Sequence, residues 1–285
     1  MVDDRRGGAD GRPKRRSTAP GRPNNAGSGG ARSSGAPRRA GADRPRRPEP
    51  RQRAEDRAGE DTARPLSGPP IPPSIEAKQL APDVRSELMT LDKSTADTVA
   101  RHLVAAGELI DEDPEAALAH AQAARSRSGR IAAIREAVGI AAYHCGDWAQ
   151  ALSEFRAARR MGSKSQLLPL IADCERGVGR PERAIELARS PEAAQLTGDD
   201  ADEMRIVAAG ARADLGHLDQ ALAVLTSPAP DPSRTGSTAA RLFYAYAETL
   251  LALGRADDAL QWFIHAAAAD LDGVTDAEDR VGELA

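Results

Sequence analysis

The sequence predicts an all-α fold: a solenoid of about five helix–turn–helix repeats behind a disordered basic tail. Three observations carry this. A seven-residue pattern recurs at spacings near 34 residues, no window alternates with the two-residue period of a strand, and the composition changes abruptly near Pro73. The chain has 285 residues and a formal net charge of −4, from 39 basic and 43 acidic side chains. Residues 1–73 hold 17 of the bases and 9 of the acids, a net of +8, so residues 74–285 carry −12. The first 73 residues also hold 23 Gly and Pro and no aromatic residue, whereas all eight aromatics lie between Tyr143 and Phe263.

Residues 1–73 therefore read as disordered. Almost no large apolar side chain is present to offset an ordering entropy of about 1–2 kcal/mol per residue. The run Pro65-Leu66-Ser67-Gly68-Pro69-Pro70-Ile71-Pro72-Pro73 reads as a stiff polyproline-type linker. From Ser74 to Ala285 the chain is rich in Ala and Leu with helical periodicity. Pro82 opens a short helix with Val84, Leu88 and Met89 on one face. Ser94 reads as the cap of the next helix, with acidic Asp97 at its third position. Asp113-Pro114-Glu115 starts another, a capping carboxylate followed by Pro at the first helical position. Thr275-Asp276-Ala277-Glu278 resembles a capping box that opens a last helix ending at Leu284, the polar end a solenoid requires.

Between these ends the repeat is explicit. Gly146-Asp147-Trp148-Ala149-Gln150-Ala151-Leu152 aligns with the heptapeptides starting at Gly179, Gly216 and Gly254, and with a glycine-less version at Glu112. The shared alanines are Ala117, Ala151, Ala184, Ala221 and Ala259, at spacings of 34, 33, 37 and 38. The glycine supplies the left-handed conformation that ends one helix. The alanine marks a close approach of two helices. Ser190-Pro191 and Ser227-Pro228 cut the second helices of the third and fourth repeats short, and the extra residues fall in loops near Gln195–Asp200 and Pro228–Ser237.

The chain resembles the tetratricopeptide repeat (TPR) family over roughly residues 95–270. The second repeat carries the resemblance best, through Gly139, Tyr143, Trp148, Ala151, Phe155 and Ala158. The fifth carries it through Ala247, Leu250, Gly254, Ala259, Phe263 and Ala266. The tail resembles those of uncharacterised actinobacterial TPR proteins. The family resemblance implies a right-handed α-solenoid and a non-catalytic adaptor that binds a peptide or helix in a groove lined by first helices. By register the implied groove residues are His102, Glu136, Tyr143, His144, Asp173, Arg176, Asp214, Arg241, Tyr244 and Glu248. The same residues also read as nothing more than the solvated inner face of a solenoid. The Lys/Asn set with which some chaperone-binding relatives hold a C-terminal carboxylate is absent; His102, Ala106, Ala137, Gln166 and Leu170 occupy those places.

Catalytic chemistry has no foothold in the pattern. No phosphate-binding glycine loop, nucleophile elbow or metalloprotease motif occurs. His144 and Cys145 are helix neighbours pointing about 100° apart, so they read as a surface histidine and a buried small cysteine. Asp270, Asp272 and Asp276 lack calcium-loop spacing. The expectation is no enzyme, no cofactor and no metal. Two cysteines, no apolar run of membrane-spanning length and an acidic, Arg-rich start without an apolar leader segment point to a reduced cytoplasmic protein.

A second surface is basic. Residues 120–164 carry Arg125, Arg127, Arg130, Arg135, Arg156, Arg159, Arg160 and Lys164 against three acids. These arginines read either as a phosphate or acidic-protein contact, or as helix-end charges complementing the dipole. The tail's clusters, such as Arg12-Pro13-Lys14-Arg15-Arg16, admit weak nonspecific nucleic-acid contact, a solubilising role, or folding back on the acidic solenoid. A nucleic-acid- or ribosome-associated protein is thus the alternative function.

Overall fold

The computed structural model describes residues 68–163 and 166–285. Of the tail and linker expected over residues 1–73, residues 1–67 lie outside the described residues, as does the basic Lys164. Twelve α-helices and no strand occur among the described residues. They are α1 (Pro82–Glu87), α2 (Lys93–Leu109), α3 (Pro114–Arg127), α4 (Ala132–His144), α5 (Trp148–Arg160), α6 (Leu168–Gly177), α7 (Pro181–Ala188), α8 (Gly198–Asp214), α9 (Leu218–Leu225), α10 (Ser237–Ala252), α11 (Ala256–Ala269) and α12 (Ala277–Leu284). The pairs α2/α3, α4/α5, α6/α7, α8/α9 and α10/α11 are the five expected helix hairpins, each packed on the next.

The turn inside each of the last four pairs is one structure used four times. Gly146, Gly179, Gly216 and Gly254 have φ of 73°, 76°, 74° and 77°. Each lets the following backbone N–H reach a carbonyl five residues back: Asp147 to Ala142, Arg180 to Glu175, His217 to Arg212 and Arg255 to Leu250, at 2.8–3.0 Å. An added Cβ would strain this left-handed geometry. In the first pair Asp113 closes the turn instead. Its carboxylate accepts from the Ala116 N–H at 3.0 Å, and Pro114 takes the first helical position.

Past the turn, Ala117, Ala151, Ala184, Ala221 and Ala259 are completely buried. The chain brings the two helices of a pair together at these points. Large side chains fill the space on either side: Phe155 against Ala142 and Ile171, Leu225 against Leu242, and Phe263 against Leu250. Gly139 is a further close approach, since a Cβ there would stand 2.6 Å from the Phe155 ring. The second helices α7 and α9 have eight residues each, as the Ser-Pro pairs predict.

Several boundaries differ from expectation. Asp92, not Ser94, caps α2; its carboxylate accepts from the N–H groups of Ser94 and Thr95, and this holds its pKa down at about 2. Met89 is exposed, because the chain tightens to a 3-10 turn over Leu88–Thr90 and rotates it off the Leu88 face. Residues 198–200 belong to the first turn of α8 rather than to a loop. Asp276 precedes α12 without a side-chain cap, while the Asp270 carboxylate collects the N–H groups of Val274 and Thr275. Cys145 is half-buried rather than buried. Residues 68–75, most of them expected in the linker, lie on α2 and α3. Ile71 and Ile75 pack against Val104 and Ala105, and Arg101 donates to the Ile75 carbonyl at 3.0 Å.

Ala221→Leu should lower unfolding stability by about 1–3 kcal/mol, since the added methylenes meet a filled interface. Ala268→Leu makes the same change on an exposed face of α11 and should stay within about 0.5 kcal/mol. Urea denaturation followed by circular dichroism measures both, and equal effects would contradict the close-approach role.

Candidate functional site

The first helices are not equally long. Helix α6 has 10 residues, α4 has 13 and α8 has 17. Gly162, with φ 85°, ends α5, and Pro169 sits in the first turn of α6, so α6 starts late. The shortfall leaves a cleft of about 550 Å³ with α6 as its floor and α4 and α8 as walls. Ile140, Tyr143 and His144 line it from α4, Pro169, Leu170, Asp173 and Arg176 from α6, Asp200, Glu203, Ile206 and Val207 from α8, and Arg241 from α10. Gln166 closes the α6 end.

Polar bonds tie these helices together. The Tyr143 hydroxyl donates to Asp173 at 2.5 Å. Arg176 donates to Asp173 at 2.7 Å and, through two nitrogens, to Asp214 of α8 at 2.8 and 3.2 Å. Its guanidinium lies over Gly210, where a Cβ would come within 2.8 Å of it. Arg241 of α10 pairs with Glu203 of α8. Burial and the neighbouring Asp173 charge push the Tyr143 pKa well up, so the phenol remains a donor. For Arg176, burial opposes the charge, but the bonds to Asp214 and Asp173 outweigh it and hold the pKa above the ordinary value. Tyr143 also stands edge-on to Trp148, with ring centroids 4.9 Å apart.

Of the ten groove residues expected from sequence, Tyr143, His144, Asp173, Arg176 and Arg241 line this cleft. Asp214 supports it from behind Arg176. The other four are elsewhere. His102 is buried, 2% exposed, with its Nδ1 3.0 Å from Nδ1 of His120, under the segment that begins at Gly68. It offers nothing to a groove, because residues 68–75 cover that end of α2. Glu136 accepts from the Ser163 hydroxyl and borders a separate hollow shared with α1. Tyr244 and Glu248 are engaged by the terminal helix: Arg280 of α12 donates to Glu248 at 2.8 Å and lies over the Phe263 ring that packs on Tyr244. Register alone missed the apolar lining, Ile140, Leu170, Ile206 and Val207. They sit three or four residues from residues it selected or near the middle of α8.

The basic stretch is mostly consumed by internal pairs. Arg125 and Arg135 both hold the buried Glu154, at 2.6 and 2.8 Å. Arg156 holds the buried Glu175, and Arg159 holds Glu192 at 2.6 Å. Arg127 donates to the Ala123 carbonyl at 3.2 Å. Arg130 and Arg160 are exposed.

Nucleophilic chemistry finds no support here. Burial, with the charges of Asp173 and Glu175, pushes the Cys174 thiol up to about 12, and burial also raises that of Cys145. Among the described residues no cluster of three or more His, Cys, Asp or Glu is placed to hold a metal, and no helix is long and apolar enough to cross a membrane.

Residues 171–275, from α6 through α11, match the family model of the tetratrico peptide repeat. Among solved structures YrrB, described as a TPR protein with an unusual peptide-binding site, is similar at 19% identity with a TM-score of 0.41. That likeness covers 66% of this chain and 93% of YrrB. No curated protein matches the chain.

The His102–His120 pair has a pH consequence. Burial, then the charges of Arg127, a protonated His120 and Arg101, push the His102 pKa down from 6.5 to about 4; burial lowers His120 as well. Above pH 6.5 both folded and unfolded chains hold neutral imidazole. As pH falls from 6.5 toward 4 the unfolded chain takes up protons that the folded one refuses, so stability declines, by on the order of 2 kcal/mol. Urea midpoints between pH 7.5 and 4.5 should show this loss, and His102→Leu/His120→Leu should flatten the curve in that window. An unchanged slope in the double variant would contradict it.

Proposed function

We propose that the chain is a non-catalytic interaction adaptor whose cleft between α4, α6 and α8 takes a short peptide or one face of a partner helix. The single observation that supports this reading most is the kind of surface the cleft leaves uncovered. Its most organised polar groups, Tyr143, Asp173, Arg176, Glu203 and Arg241, already bond one another. Ile140, Leu170 and Ile206 remain at least partly open to solvent between them. Full burial of such an aliphatic side chain is worth about 1.5–3 kcal/mol, of which covering the part still open supplies a fraction, and the fixed polar rim orients whatever covers it.

Charge favours this reading over the nucleic-acid alternative. The cleft contains Asp173, Asp200 and Glu203 against Arg176 and Arg241, which does not attract a polyanion. Four arginines of the basic stretch are tied to three carboxylates, Glu154, Glu175 and Glu192, so they do not form the extended free phosphate track that nucleic-acid affinity needs.

Selection of random peptides on the immobilised full chain tests the proposal. Enriched peptides should carry large apolar side chains and should lose about tenfold or more in affinity by fluorescence anisotropy for Leu170→Arg. Arg241→Glu, at an exposed position, should also weaken them without loss of helix content. Peptides that bind wild type and both folded variants equally well would sink the reading.

A further inference from the structure

A second pocket lies on α5 and the α6–α7 turn, away from the cleft. It has a volume of about 310 Å³, and Leu152, Ser153, Arg156, Arg160, Val178 and Arg180 line it. From the geometry we infer that this pocket is a binding site for a small dianion, a phosphate or a phosphoryl group carried on a protein side chain.

Local structure makes three guanidinium groups converge there. Ser153, Arg156 and Arg160 stand at i, i+3 and i+7 along α5 and so share one face. Arg180 follows the left-handed Gly179, which turns the chain sharply and delivers the side chain from α7's start to the same hollow. Among the described residues one carboxylate answers them. Glu175, 3% exposed, pairs with Arg156 through Oε1, and its Oε2 is 3.6 Å from Arg180. That oxygen accepts no hydrogen bond among the described residues. Arg160 makes no ion pair among the described residues. Three cations and one buried anion leave a surplus of two positive charges around a hollow near the small end of the ligand-pocket range.

The arrangement suits a compact anion. Planar guanidinium forks match phosphate oxygens in pairs, and the Ser153 hydroxyl adds a rotatable donor. Glu175 is not part of the lining; from beneath it steadies Arg156 and Arg180 so that less side-chain freedom is lost on binding. A nucleic-acid backbone would need further cations in line, and the adjacent Arg125, Arg135 and Arg159 are held by Glu154 and Glu192. The charge is concentrated at one point rather than drawn out as a track.

Phosphorus-31 NMR titration of the full chain, at constant ionic strength set with sodium chloride, tests the site with inorganic phosphate and a phosphoserine peptide. Wild type should bind phosphate saturably. Arg160→Ala, and separately Arg180→Ala, should weaken binding at least fivefold. Arg159→Ala removes the same charge one residue away, outside the pocket, and should leave binding unchanged. Tighter binding of the phosphoserine peptide than of inorganic phosphate supports a protein-borne phosphoryl group, and equal binding supports the free anion. Equal losses for Arg159→Ala and Arg160→Ala, or no saturable binding, would overturn the site. So would a single-stranded oligonucleotide that binds more tightly than phosphate and loses more affinity with Arg160→Ala.

Discussion

The structure depends on one constraint: at one point in each pair the two helices touch so closely that only a methyl side chain fits between them. Ala117, Ala151, Ala184, Ala221 and Ala259 hold that point, each with no exposed surface. With the turn just before it closed by the same backbone bond in the last four pairs, the second helix leaves at a nearly fixed geometry. Each pair then presents an apolar edge that it cannot bury alone, and the next pair covers it. Helix α12 performs that service for the last pair, with Val281 and Leu284 against the Phe263 cluster.

A second set of bonds connects the pairs along their first helices. Tyr143–Asp173 joins α4 to α6, Arg176–Asp214 joins α6 to α8, Arg241–Glu203 joins α8 to α10, and Arg280–Glu248 joins α10 to α12. Most residues that sequence reasoning placed in a binding groove thus form an internal seam. They tie α4 and α8 across the short α6, and in the proposed binding mode that separation sets the width of the cleft.

How much could be read from the sequence follows from the range of the interactions. Turn glycines, capping Asp113, the five alanines and the shortened α7 and α9 are local signals, and the structure places them as expected. The side-chain fates that depended on distant partners were not legible. His102 reads as a first-helix polar residue until residues 68–75 are known to cover it. Tyr244 and Glu248 read as groove residues until α12 folds onto them. Arg135 and Arg156 each find their carboxylate 19 residues on, in the following helix. Nothing in their own neighbourhood announces that pairing. The late start of α6 was partly legible, since Pro169 favours a first helical turn, but its consequence needed the overhang of α8 in view.

On the proposed reading a partner docks in the gap left by the short α6. Hydrogen-exchange mass spectrometry of the full chain, with and without a peptide selected on it, measures this most directly. Exchange should slow in α4 near Ile140–His144, in residues 166–176 and in the first ten residues of α8, with α5, α9 and α11 unchanged. Protection confined to α5, α9 or α11, or distributed evenly over the repeats, would contradict it.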